Sequence, residues 1–154
     1  MARVYKTVRL AYETKIWLDE LIEKRTVELQ ESMHVFQLQT KLEEELFEAN
    51  KDILDGISVN VTLNITSGSI IEQAVRGTRE FSNEQWYDVA MEMENAIRYV
   101  RQADVSDFTP RIYISHEILN ELEALQIRLK ENGERIPRLS YIIKLVIFGF
   151  KNMK

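Results

Sequence analysis

The chain has 154 residues, 45% of them hydrophobic and 29% charged, with a net charge of −5, two histidines and no cysteine. That length suits one medium domain or two or three small ones, and the composition excludes disulfides, thiolate metal sites and a His-rich metal centre. No run approaches the about 18 apolar residues that span a bilayer, and the basic start MARVYKTVRL lacks the apolar stretch of a secretory signal, so a cytoplasmic protein with no membrane partner is expected.

Residues 4–11 (VYKTVRLA) predict a strand, with Val8 and Leu10 on one side and Tyr5, Thr7, Arg9 and Ala11 on the other. Residues 12–55 hold no Gly or Pro, and Leu18, Leu21, Ile22, Leu29 and Met33 fall at near-helical spacing. The stretch HVFQLQ (34–39) is expected to interrupt the helix, and Thr40 with Glu43 resembles a capping box for a second one ending near residue 54. ISVNVTLNI (57–65) alternates cleanly and predicts a strand. Thr66 or Ser67 then caps a helix to about residue 80, and Ser82 caps another to about residue 102. DVSDFTP (104–110) is the best candidate boundary. The last segment predicts a strand over 111–115, a helix from 117 to about 132 stopped by Asn132-Gly133, a turn with Pro137 in a first-turn position, and a helix to about 151.

The charge is unevenly spread. Residues 1–55 carry 8 basic and 12 acidic side chains, residues 56–108 carry 4 and 8, and residues 109–154 carry 8 and 5, which gives −4, −4 and +3. A basic cluster of Arg3, Lys6 and Arg9 opens the chain. Local potential decides polyanion binding more than the overall sum does. No Gly-rich phosphate loop follows a strand, and H-E-x-x-H, G-x-S-x-G and a cysteine nucleophile are all missing, so neither an enzyme nor a cofactor is expected.

Strand, helix, turn and helix follow one another in RIYISHEILNELEALQIRLKENGERIPRLSYIIKLVIFG (111–149). That order resembles the ribbon-helix-helix family of DNA-binding proteins, of the Arc, CopG and MetJ type. VRLAYE (8–13) echoes IYISHE (112–117) at an offset of 104, and ITSGSIIEQAV (65–75) echoes IPRLSYIIKLV (136–146) at an offset of 71, so the N-terminal part matches the family moderately. The resemblance implies a mainly α fold with short β-strands, built from tandem ribbon-helix-helix units that form a pseudo-dimer within one chain. The first unit would cover 1–103, with an insertion at about 31–60 and a bridging helix at about 83–102; the second would cover 109–154. In an alternative, residues 59–97 form a third unit, with Asn60, Thr62 and Asn64 as its polar strand face.

The resemblance also implies a function: a sequence-specific regulator of transcription, more often a repressor, that places an antiparallel ribbon in the major groove of double-stranded DNA. Tandem copies resemble regulators of archaeal viruses and some plasmid proteins. Thr7, Arg9, Arg111, Tyr113 and Ser115 would read bases. Lys6, Thr66, Ser67 and Ser69 would hold phosphates, as would Arg138 and Ser140, although Pro137 removes an amide and a capping hydroxyl there. Trp17, Trp86 and Tyr141 are expected in the core or at a subunit contact, and a homo-oligomer is expected. The competing readings are an antitoxin or interaction scaffold with acidic helices as its contact, and a plasmid relaxosome or partition accessory protein.

Overall fold

A computed structural model of the chain describes residues 2–100, 108–130 and 135–153. The elements are β1 (Arg3–Thr7), α1 (Tyr12–Glu31), α2 (Met33–Ala49), α3 (Lys51–Leu54), α4 (Ser67–Gly77), α5 (Asn83–Ile97), β2 (Arg111–Ser115), α6 (His116–Arg128) and α7 (Leu139–Lys151). The fold is mainly helical with one two-stranded antiparallel sheet. The chain divides into two compact units, one of Met1–Ile22 with Thr66–Lys154 and one of Glu23–Ile65.

In the first unit β1 pairs with β2 of the same chain, with Arg3 opposite Ser115, Tyr5 opposite Tyr113 and Thr7 opposite Arg111. The paired strand is shorter at its end than residues 4–11 predicted. Pro110 has no N–H to return to β1, so regular pairing stops at Arg111. The register nevertheless persists: Val8 N donates to Pro110 O at 3.3 Å, and Leu10 and Phe108 exchange both backbone hydrogen bonds at 2.8 and 3.1 Å. Val8, Leu10, Ile112 and Ile114 are buried on the inner face.

A two-stranded ribbon needs a covering layer to be stable. α4 packs on β2 and α7, and α7 also packs on α5 and α6. α7 is almost wholly apolar over Ile142, Ile143, Leu145, Val146, Ile147 and Phe148, all buried, as befits a central helix. Trp17 of α1 packs tilted on Phe148, with ring centroids 4.9 Å apart, and Trp86 packs on Phe81. Trp17 and Trp86 are core residues and Tyr141 is half-buried. Glu13 of α1 is buried and accepts from Lys144 Nζ of α7 at 3.1 Å. A charge so placed is tolerated because its partner is beside it. Thr14 is also fully buried, and among the described residues its hydroxyl has no hydrogen-bond partner.

The second unit departs from expectation. HVFQLQ is helical, because Ser32 ends α1 and caps α2, its hydroxyl accepting from Val35 N at 3.3 Å. Thr40, expected as a cap, lies inside α2 and donates to Phe36 O. Residues 57–65 form no strand, although their burial alternates. The described backbone offers them no partner strand, and side chains of α2 serve instead. Gln39 Nε2 donates to Val61 O, and Val61 N donates to a Glu43 carboxylate oxygen at 3.1 Å. Asn60, Thr62 and Asn64 are exposed, on a segment without a ladder.

The helix over 67–77 ends three residues before the expected 80, where Thr78 N donates back to Ala74 O. Pro137 precedes the N-cap Arg138, so it lies outside the first turn of α7. The Asn132-Gly133 stop and residues 104–107 of the candidate boundary fall outside the described residues.

Candidate nucleic-acid interface

Alternation along the ribbon turns Tyr5, Thr7, Arg9, Arg111 and Tyr113 outward, and all five are exposed. At the centre Tyr5 and Tyr113 stack, with centroids 4.6 Å apart and planes 29° apart. The Arg111 guanidinium lies 3.9 Å from the centre of the Tyr5 ring, and that of Arg3 lies 5.5 Å from the Tyr113 ring. Stacking occupies the flat face of a guanidinium and leaves its edge N–H groups able to bond in plane.

Arg3 is fixed from a second side. Its Nη1 lies 2.5 Å from a carboxylate oxygen of Glu72, a buried residue of α4 that Arg76 also approaches, at 3.6 Å. α4 comes this close because of Gly68: a Cβ there would collide with the Tyr113 carbonyl.

Ser115, expected to read a base, does not face outward. It is 1% exposed, and its hydroxyl accepts from Ile118 N at 3.2 Å, capping α6. A residue that both ends the strand and starts the helix is turned inward with the helix and cannot read a base.

The six expected phosphate ligands fall in two places. Thr66, Ser67 and Ser69 lie at the start of α4. There Thr66 Oγ1 accepts from Ser69 N at 3.0 Å and Ser69 Oγ accepts from Thr66 N at 2.8 Å, a closed capping box. The Ser69 hydroxyl also donates to Thr66 O at 3.0 Å, so it is engaged both ways, whereas the Thr66 hydroxyl is engaged as an acceptor. Lys6, Arg138 and Ser140 converge elsewhere. With Thr7 and Arg9 they line one open groove between β1 and the start of α7, which Glu123 and Gln126 of α6 complete. Arg138 caps α7 without any side-chain hydrogen bond, and Gln126 Nε2 donates to Pro137 O at 2.8 Å, which pins the turn leading into the helix. The groove therefore gathers three cationic side chains, two hydroxyls and a helix N-terminus that no cap side chain blocks.

Arg3, Tyr5 and Glu72 were not identified from sequence as site residues. The two strands, RVYKT and RIYIS, share Arg in the first position and Tyr in the third, a signal that singles out Arg3 and Tyr5. Nothing in the sequence marks Glu72, whose role depends on α4 reaching the ribbon.

Among the described residues no cluster of three or more acidic or histidine side chains could hold a metal, and no helix is long and apolar enough to cross a membrane. No family model, no curated protein and no solved structure matches this chain.

Proposed function

We propose that the chain is a sequence-specific regulator that binds double-stranded DNA, acting as a repressor of transcription, with its tandem halves arranged as a ribbon-helix-helix pseudo-dimer. The reading rests chiefly on one observation: an antiparallel ribbon made within one chain, with an exposed outer face of Tyr5, Thr7, Arg9, Arg111 and Tyr113 beside the basic groove of Lys6, Arg9, Arg138 and Ser140. The major groove of B-DNA admits a two-stranded ribbon. Arg111 and Arg9 then bond guanine O6 and N7, Thr7 contacts either base type, and the tyrosines pack on thymine methyl groups or sugars. The start of α7 holds a backbone phosphate, with Lys6 and Arg138 neutralising it. Glu123 opposes that anion and limits the affinity.

Binding to a duplex from the region upstream of the protein's own gene tests this. The logarithm of the association constant should fall steeply and linearly with the logarithm of salt concentration. Arg138→Ala should weaken binding to every duplex and reduce that slope by about one, whereas Arg111→Ala should cost about 1–3 kcal/mol on the preferred sequence alone. Glu123→Gln should tighten binding uniformly. Absence of salt-dependent binding to any duplex defeats the reading.

A second reading, an interaction scaffold such as an antitoxin, draws on a different observation: no residue of Glu23–Ile65 is buried. An adjacent toxin gene, and toxin binding that survives Arg111→Ala, would favour it.

A further inference from the structure

The ribbon has a local two-fold axis through the facing pair Tyr5 and Tyr113, which makes Arg3 equivalent to Arg111 and Thr7 equivalent to Ser115. Each arginine crosses to the tyrosine of the other strand, Arg111 to Tyr5 and Arg3 to Tyr113. The pairing is symmetric about that axis; the chemistry at the two ends is not. At one end stand Thr7 and Arg111, both exposed, and among the described residues no carboxylate pairs with Arg111. The groove of Lys6, Arg9, Arg138 and Ser140 adjoins this end, and the N-cap of α7 there makes no side-chain hydrogen bond.

At the other end stand Arg3 and Ser115. Ser115 is buried as the cap of α6. Arg3 Nη1 lies 2.5 Å from the buried carboxylate of Glu72. Drawing Arg3 off to a base would leave that carboxylate with Arg76, at 3.6 Å, as its remaining partner among the described residues, and a buried charge that loses its partner is costly. α4 starts beside this end, where Gly68 meets Tyr113 and Ile114. Its cap is closed by Thr66 and Ser69, and residues 66–71 carry no cation. Arg9 follows two residues after Thr7, but the exposed Glu117 follows two residues after Ser115.

We propose that the two ends are unequal readers, so that the chain takes a duplex without two-fold symmetry and takes it in one orientation. The Arg111 end reads the half of the site that carries the sequence; the Arg3 end rests on the other half and tolerates any sequence there. This rests on the major-groove reading above and adds the polarity of the site. The arginine, the hydroxyl, the helix start and the residue two past each strand all differ in the same direction. Two identical chains meeting on an axis must present the same residues at both ends. A ribbon made within one chain is free of that constraint.

The test selects a preferred duplex from a random pool with the full chain. Two symmetric derivatives are then made, each joining one half of that duplex to its own inverted copy. The derivative that doubles the sequence-bearing half should bind within about threefold of the selected duplex, and the other should bind at least about fivefold more weakly, the least that loss of one arginine–guanine pair costs. Arg3→Lys and Arg111→Lys both keep the charge and remove the planar fork. Arg111→Lys should lose at least about fivefold on the selected duplex, together with the preference between the derivatives. Arg3→Lys should change neither by more than about threefold. Urea midpoints of both variants separate a loss of folding from a loss of reading. A selected duplex that is itself an inverted repeat overturns the proposal, as do equal losses in the two lysine variants or equal affinity for the two derivatives. Absence of salt-dependent binding to any duplex removes the regulatory reading and this one with it; binding with a symmetric preference removes this one alone.

Discussion

Two stretches of helix with similar apolar spacing end differently. The start of α1 buries Trp17, Leu18 and Leu21, whereas α2 buries nothing. Periodicity is the same kind of signal in both, so it does not by itself decide burial. A stripe is buried only where a second layer faces it. For α1 that layer includes α7, with Phe148 against Trp17 and Lys144 against Glu13. Against α2 lies an extended segment held by two side-chain hydrogen bonds. The first case makes a core, and the second leaves the helix without a buried face.

That contrast can be broken most forcefully at the ion pairs. Lys144→Ala should leave Glu13 buried and unpaired and cost about 3–5 kcal/mol, read as a lower urea midpoint. Lys51→Ala removes the exposed contact with Glu48 at 2.8 Å and should stay within about 1 kcal/mol. Equal costs would mean that the two regions do not differ as described.

The glycines sharpen the comparison. Gly68→Ala pushes a methyl group into the Tyr113 carbonyl and should destabilise by about 1–3 kcal/mol, and it should disturb the ribbon that α4 supports. Gly56→Ala meets no atom within 4 Å, and only its φ of +79° resists, so about 1 kcal/mol is expected. The two variants separate a packing cost from a backbone cost in thermal unfolding. The smallest effect has the opposite sign. Thr14→Val replaces a buried hydroxyl that lacks a partner among the described residues and should stabilise by about 1 kcal/mol. A loss of stability would mean that the hydroxyl is bonded after all.

Strand parity was legible because Val8, Leu10, Ile112 and Ile114 are apolar and alternate with polar residues. The starts of α4 and α5 were legible because Thr66 and Ser82 are strong capping residues. The failures have local causes. Residues 57–65 alternate like a strand, yet alternation supplies no partner backbone. HVFQLQ carries β-branched and aromatic residues, yet Ser32 caps a helix directly before it. Ser115 looked outward by strand parity, but it belongs equally to the helix it caps. Glu72 and the stack of Arg111 on Tyr5 depend on tertiary contacts and on cross-strand register, which one strand read alone does not supply.

The most direct test of the central claim alters the DNA rather than the protein. A preferred duplex is selected from a random pool, and each guanine in turn is replaced by 7-deazaguanine, which removes the N7 acceptor from the major groove and leaves the minor groove intact. Major-groove reading by the ribbon predicts a roughly 10-fold loss of affinity at one or two guanines, and the Arg111→Ala variant should no longer register at least one of them. Affinity that is indifferent to every such replacement, in a protein that still prefers its selected duplex, would contradict ribbon reading of the major groove.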